Sequence, residues 1–194
     1  MTYSNFNKPF GDDGSVPEGN GGIFPVTSKY LTGNGKGRYV FIHSGTQRDS
    51  AKISSFKAQM YLFEKKNPND TKDPIVTKIG STITKTLGSS PNGPTDIMDV
   101  KSGLRVEASR PNDEYFVVAS VRNYRLNIDN GWCSPLLSFF KLTEDEDGNA
   151  TFSEESLTIE APRNLPYTPV HIAVGDFTGE GITNQIAMAT SDKS

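Results

Sequence analysis

Residues 173–190, AVGDFTGEGITNQIAMAT, carry oxygen-bearing side chains at a spacing suited to a hard cation. Ca²⁺ takes roughly six to eight oxygen ligands, and short loops deliver them at alternating positions. Gly181 allows the positive φ that a tight turn in such a loop needs. The candidate ligands are the side chains of Asp176, Thr178, Glu180 and Asn184, with the backbone carbonyl of Ile182 between them.

The charge of this loop leaves two interpretations open. Only Asp176 and Glu180 are carboxylates, and a small number of anionic ligands weakens Ca²⁺ binding. One interpretation is a single Ca²⁺ site. The other is a network without metal, in which the same side chains accept hydrogen bonds from the loop amides. Residues 30–38, YLTGNGKGR, share the T-G-x-G pattern but contain no carboxylate, and we expect no Ca²⁺ there.

Other chemistry-bearing residues are scattered. His43 and His171 have no partner at a metal-ligand spacing, and we expect both to be partly buried, hydrogen-bonded strand residues. Cys133 is the single cysteine, which excludes an intrachain disulfide, and its turn-like context favours a structural role over a nucleophilic one. Residues 144–148, EDEDG, predict an acidic hairpin turn that could also attract a cation. No nucleophile, zinc or phosphate-loop signature is present, so we predict a non-catalytic chain.

Composition narrows the class of protein. The 194 residues are 34% hydrophobic and 22% charged, with 18 Gly and 12 Pro, which indicates a polar, turn-rich globular chain. The net charge of −3 gives no reason to expect a nucleic-acid partner. No apolar run approaches the roughly 20 residues of a membrane-spanning helix. Residues 1–22 are rich in Gly, Asn and Asp, and they predict a flexible tail.

The remaining chain predicts an all-β fold. Short runs rich in Val, Ile, Phe, Tyr and Thr alternate with turn residues, and few exceed eight residues. Residues 54–66, SSFKAQMYLFEKK, are the best helical candidate, but their aromatic content and the following Asn-Pro favour a strand. Further strands are predicted at residues 75–84, 97–100 and 151–161, among others.

The strands recur about every 70–76 residues. GRYVFIHS (37–44) aligns with DEYFVVAS (113–120) and with TNQIAMAT (183–190), so that Val40, Phe116 and Ile186 share one column. Each unit contains a strand, a loop, a buried strand and two alternating outer strands. Four antiparallel strands in each repeat predict the blade of a β-propeller.

The third copy resembles the FG-GAP/VCBS repeat of integrin-α-like β-propellers, a Gly-Asp-Phe followed by a Ca²⁺-binding D-x-D-x-D-G-x-x-D loop and an apolar strand. The matching positions are Val174, Gly175, Asp176, Phe177, Gly179, Gly181, Ile186 and Ala187. The copy at residues 30–42 is degenerate, and the middle copy, 99–120, keeps the strands without the loop motif. The resemblance extends over residues 23–190, strongly only in the last part.

This resemblance implies about two and a half blades of four-stranded antiparallel sheet, a fragment of a larger propeller, since such propellers usually close with about seven. Blade 1 would comprise residues 23–95, with the degenerate loop, and blade 2 residues 96–165. Residues 166–194 would form the first half of blade 3. Unpaired strand edges should then favour packing with further blades or self-association.

The function implied by the resemblance is a secreted or cell-surface binding module for adhesion or scaffolding, with a protein or glycan partner. Exposed aromatic residues would be the glycan platforms, with Trp132, Tyr124 and Tyr167 as candidates. One alternative is an accessory propeller segment of a larger secreted enzyme or toxin. Another is a self-contained β-sandwich that binds carbohydrate, with about nine strands around a single hydrophobic interior.

Overall fold

A computed structural model of the chain describes residues 24–44, 47–48, 53–65, 75–89, 95–122, 134–157 and 169–190. These residues contain strands and turns but no helix, which confirms the all-β prediction for this part of the chain. The strands are β1 (Phe24–Thr27), β2 (Gly37–His43), β3 (Gln47–Arg48), β4 (Ile53–Glu64), β5 (Ile75–Ser89), β6 (Thr95–Leu104), β7 (Asp113–Arg122), β8 (Ser134–Glu144), β9 (Ala150–Glu155), β10 (Pro169–Gly175) and β11 (Gln185–Thr190).

The strands form three antiparallel sheets that follow chain order. In the first sheet β1, β2, β4 and β5 lie side by side, and the two-residue β3 also pairs with β4. The second sheet is β6-β7-β8-β9, and the third is β10-β11. The second sheet therefore has the four-stranded meander predicted for one unit, and the first sheet has the same order with β3 added.

Strand β4 covers most of the segment that could have been helical. Phe56, Ala58 and Met60 are buried at every second position, which is the period of a strand and not of a helix. A bulge opposite this strand, where Gly80 of β5 has a φ of 67°, shifts the register between Ala58 and Met60. The bulge lets β5 run to Ser89, beyond the strand predicted at residues 75–84.

Two hydrophobic clusters lie on opposite faces of the second sheet. Phe116 and Val118 of β7 belong to the first cluster, together with Phe41 and Met60 of the first sheet. Tyr115 and Val117 alternate with them and belong to the second cluster, which extends to the third sheet through Ile172. Because both faces of β7 are buried, its central residues, 115–119, are all apolar instead of alternating with polar residues.

Corresponding strands of successive sheets lie next to each other. The first strand of the second sheet, β6, contacts both β1 and β10, and the last strands, β5 and β9, contact each other. Lys85 of β5 forms an ion pair with Glu154 of β9 at this outer boundary. The described residues thus form three sheets with two hydrophobic clusters between them. The sandwich alternative predicts two layers around one hydrophobic interior, which differs from this arrangement.

Some predicted features differ from the structure or lie outside its described residues. Strand β6 is longer than the predicted 97–100 and has two register shifts against β7. Strand β9 ends at Glu155, and of the predicted 151–161 run the residues from 158 onward lie outside the described ranges, as does the predicted tail at residues 1–22. Within the described ranges no helix is long and apolar enough to cross a membrane.

Candidate functional site

Three loops, each linking the first and second strands of a sheet, meet through Tyr30, Arg105 and Thr183. The Tyr30 hydroxyl lies 2.9 Å from Thr183 Oγ1, and the Arg105 backbone N–H donates to the Thr183 carbonyl at 2.8 Å. The Arg105 guanidinium lies 3.9 Å from the centre of the Tyr30 ring. The loops therefore form one continuous surface at one end of the three sheets.

The charged groups around Tyr30 favour the deprotonated, negatively charged form of its hydroxyl. Burial raises the pKa of Tyr30, but the hydrogen bond to Thr183 and the nearby Lys29 and Arg105 outweigh it, so the pKa lies below its ordinary value. The Lys29 ammonium is 5.2 Å from the centre of the same ring, a cation–π distance. Two cations on one aromatic ring make this part of the surface locally positive.

The loop at residues 176–184 is organised by the carboxylate of Asp176. Its Oδ1 accepts the Glu180 N–H at 2.8 Å, and its Oδ2 accepts the Gly181 N–H at 2.6 Å. The Gly181 hydrogen bond, followed by those of Glu180 and Gly179, lowers the pKa of Asp176. Gly179 and Gly181 have φ of 78° and 81°, the left-handed conformation expected of a tight, glycine-dependent turn.

Gln185 also shapes this loop, and the sequence analysis did not identify it. Its Oε1 accepts the N–H groups of Phe177 at 2.6 Å and Thr178 at 3.1 Å, and its Nε2 donates to Thr178 Oγ1 at 2.5 Å. The only hint in the sequence is a polar residue at the start of an otherwise apolar strand. The side chain fastens the beginning of the loop to β11.

The five predicted Ca²⁺ ligands therefore lie in one loop, most of them engaged in hydrogen bonds. The Ile182 carbonyl accepts the Asn184 N–H at 3.0 Å, and the Glu180 side chain is exposed. The hydrogen bonds from the loop amides to Asp176 are those expected of the interpretation without metal, although oxygen atoms that accept one hydrogen bond keep a second lone pair for a cation. The described residues contain no group of three or more His, Cys, Asp or Glu side chains at metal-binding distance, and this loop has two carboxylates.

The loop at residues 28–36 is held differently, by a carboxylate from the next sheet. Glu114 of β7 is fully buried and accepts the N–H groups of Lys29 at 2.7 Å, Tyr30 at 2.9 Å and Leu31 at 3.2 Å. The Ser28 hydroxyl donates to the same carboxylate at 2.6 Å. Four donors on one buried carboxylate compensate for its lost hydration.

A second carboxylate also accepts hydrogen bonds from this loop. Glu144, the last residue of β8, accepts the N–H groups of Gly33 at 3.0 Å and Asn34 at 2.6 Å. Burial and the nearby Glu144 carboxylate raise the pKa of Tyr39 to about 12, so its hydroxyl stays protonated. Neither glutamate was identified from the sequence, because each lies more than 80 residues from the amides it binds.

The two histidines and the acidic hairpin have structural contacts. Burial lowers the pKa of His43, whose Nδ1 lies 2.9 Å from the Ser44 carbonyl oxygen. The side chain of His171 is 72% exposed, so the expected partial burial is wrong for this residue, and its Nδ1 lies 3.5 Å from Asp99 Oδ2. In the hairpin, Asp145 accepts both the backbone and the side-chain N–H of Asn149, which closes the turn.

Asp99 connects the second and third sheets. Its Oδ2 accepts the Ile172 N–H at 2.9 Å, and its Oδ1 accepts the Lys101 ammonium at 2.9 Å and the Val100 N–H at 2.8 Å. Burial raises the pKa of this carboxyl, but these hydrogen bonds, that of Lys101 first, outweigh it and lower the pKa. The residues proposed as glycan platforms, Trp132, Tyr124 and Tyr167, lie outside the described residues, as does Cys133.

In comparisons with known proteins, no protein-family model, curated protein or solved structure matches this chain. What the chain does must therefore be inferred from its loops and sheet faces.

Proposed function

We propose that the chain is a non-catalytic binding or scaffold module of the β-propeller type, built from FG-GAP/VCBS-like units. In this proposal it acts outside the cell or at the cell surface, and its partner is a protein or a glycan. The observation that supports it best is the equivalent stacking of successive units. The second sheet presents one set of second-strand residues to the sheet before it and the alternate set to the sheet after it, and the first and third sheets present matching sets at the boundaries they share with it.

The aligned columns of the sequence follow this rule. Phe116 belongs to the cluster shared with the preceding sheet, and so does its aligned residue Ile186. Phe41 belongs to the cluster shared with the following sheet, and so does its aligned residue Val117. A shift of either alignment by one residue would pair residues that point to opposite faces of their sheets. Because the aligned residues face the same way at both boundaries, they support three structurally equivalent units.

The T-G-x-G loops support the same equivalence. Gly33 and Gly179 have φ of 57° and 78°, and Gly35 and Gly181 have φ of 74° and 81°. Both glycines of the motif therefore adopt the left-handed conformation in both loops. Propeller-type modules present such loops to partners from one face, although a fold by itself does not determine a function.

The proposal includes a Ca²⁺ ion in the third loop, bound by Asp176, Thr178, Glu180 and Asn184 with the carbonyl of Ile182. Bound Ca²⁺ would supply rigidity to the loop and no chemistry. The carboxylates elsewhere in the described residues, such as Glu114 and Asp99, serve in structural hydrogen bonds. The alternative is that the chain is an accessory module beside a catalytic domain. In the proposal the partner is a separate ligand, and in the alternative the partner is an enzyme domain.

Calorimetric titration with Ca²⁺ tests the metal site. Wild type should show saturable heat and a higher melting temperature with Ca²⁺, and Asp176→Ala should show neither. Glu107→Ala is the control, because it also removes an exposed carboxylate but lies outside the acidic loops at residues 144–148 and 176–184. Identical heats for wild type and Asp176→Ala would contradict a Ca²⁺ site in this loop.

The partner class is tested by probing a glycan array and a panel of extracellular proteins with the purified chain, in Ca²⁺ and in EDTA. Saturable binding to one class supports a binding module. Binding to neither class, together with turnover of a substrate by the chain alone, contradicts it.

A further inference from the structure

Leu31 and Phe177 occupy aligned positions but differ in their surroundings. Leu31, in the first loop, is 7% exposed and packs in the cluster between the first and second sheets. Phe177, in the third loop, is 56% exposed. A single exposed aromatic residue is ordinary on a protein surface, but Phe177 lies on a hydrogen-bonded loop at the position where the aligned Leu31 is buried against a neighbouring sheet. The question is which surface would receive it.

At the opposite end of the stack, the first sheet carries a cavity of about 510 Å³. Arg38, Phe63 and Val76 are paired across β2, β4 and β5 and so share one face, the one turned away from the second sheet. Val76 is 39% exposed beside this cavity face. The residues that line the cavity are Thr32, Gly35, Lys36, Gly37, Arg38, Phe63, Glu64 and Lys65.

The charges of this face are opposite to those at the internal boundary. Arg38 is aligned with Glu114, the residue that receives the loop of the preceding sheet inside the chain. The loop received by Glu114, residues 28–36, has no carboxylate and offers backbone N–H groups. The third loop instead carries Asp176 and Glu180 and satisfies its own amides. An acidic loop thus matches a receiving face whose lining has three cations, Lys36, Arg38 and Lys65, and one carboxylate, that of Glu64.

We propose that two copies of this chain associate head to tail, with the loop at residues 176–182 of one copy docked in the Arg38 cavity of the next. Phe177 packs against the apolar Phe63–Val76 strip, as Leu31 packs inside the chain. Glu180 pairs with the cavity cations. The inference depends on the equivalence of units in the proposed function, but not on Ca²⁺ or on an external ligand. Such a contact is heterologous, so it can extend or close into a ring.

Analytical ultracentrifugation over a concentration series in EDTA tests the contact. Wild type should associate, less strongly as NaCl is raised to about 0.5 M. Phe177→Ala, Glu180→Lys and Arg38→Glu should each weaken association at least about tenfold. Glu146→Lys, an exposed residue of the β8–β9 turn, makes the same charge change as Glu180→Lys and should associate like wild type.

Mixing experiments test the direction of the contact. Arg38→Glu keeps an intact loop and Phe177→Ala keeps an intact cavity, so an equimolar mixture of these two should form 1:1 complexes that do not extend. The double variant Arg38→Glu/Glu180→Lys should recover self-association, because the two charges are exchanged. A strictly monomeric wild type, or association unchanged in Phe177→Ala and Glu180→Lys, overturns the inference. The Ca²⁺ titration and the partner screens then decide the proposed function separately.

Discussion

The fully buried carboxylate of Glu114 accepts the backbone N–H of Tyr30 at 2.9 Å, across the boundary between the first two sheets. The contact joins a strand of the second sheet to a loop of the first sheet. Boundaries between sheets are thus held by polar contacts as well as by the hydrophobic clusters, and each kind of contact can be tested by substitution.

Replacing Glu114 should destabilise the chain strongly. Glu114→Ala removes an acceptor shared by four donors. The Leu31 N–H keeps the Ser28 hydroxyl at 3.0 Å, but the N–H groups of Lys29 and Tyr30 lose the carboxylate, and we expect the free energy of unfolding to fall by at least about 2 kcal/mol. Urea denaturation measures the change. Glu107→Ala, which removes an exposed carboxylate paired with Arg110, should cost less than about 1 kcal/mol. Equal losses in the two variants would contradict a special role for Glu114.

Asp99 should make the boundary between the second and third sheets sensitive to acid. Its pKa is lowered in the folded state, so its stabilising contribution is present above the unfolded value of about 3.8 and is lost as the pH falls below it. As the pH is lowered from about 5 to 2.5, the free energy of unfolding should fall steeply in wild type and less steeply in Asp99→Asn. Parallel curves would show that Asp99 does not contribute.

Gly37 should tolerate no larger side chain. A Cβ atom at this position would lie 2.2 Å from the backbone oxygen of Phe63, so β2 and β4 would have to separate. We expect Gly37→Ala to lose at least about 2 kcal/mol, a typical cost of overpacking. Gly35→Ala meets open space but keeps a φ of 74°, and it should lose only about 1–2 kcal/mol. Thermal melting of both variants provides the comparison, and a milder Gly37→Ala would refute the steric argument.

Gln185 should control the order of the third loop without affecting the rest of the fold. In Gln185→Leu the N–H groups of Phe177 and Thr178 lose their acceptor, and we expect these two amides to exchange hydrogen at least about tenfold faster. Amides of β7 should exchange as in wild type. Hydrogen exchange followed by NMR resolves the individual sites, and unchanged rates at Phe177 would mean that the loop is ordered by other contacts.

Local pattern was sufficient to predict much of the fold. The two-residue period of β4, the apolar run of β7 and the glycines of the T-G-x-G loops depend on neighbours in the sequence, and the all-β class follows from them. Phe116 and Ile186, which share one column of the alignment, each face the sheet that precedes their own in the structure, although the alignment alone did not predict the face. The number of blades and the extent of any larger propeller remain predictions.

The candidate site was only partly predictable, since its polar contacts join distant parts of the chain. Asp176 and its loop form a local motif that spacing can reveal. Glu114 and Glu144, in contrast, receive amides 83 to 111 residues away, and nothing near them in the sequence indicates that partner. The meeting of Tyr30 with Thr183 spans 153 residues and became visible only from the stacking of the sheets.

The burial of β7 on both faces limits how the chain can be divided. A piece that ended before residue 169 would lack Ile172 and its neighbours, and would leave Tyr115, Val117 and Ala119 open to water. A piece that began after β5 would uncover Phe116 and Val118 instead. Either shortened form should therefore precipitate on expression, and deletion mapping in this protein must keep all three layers together.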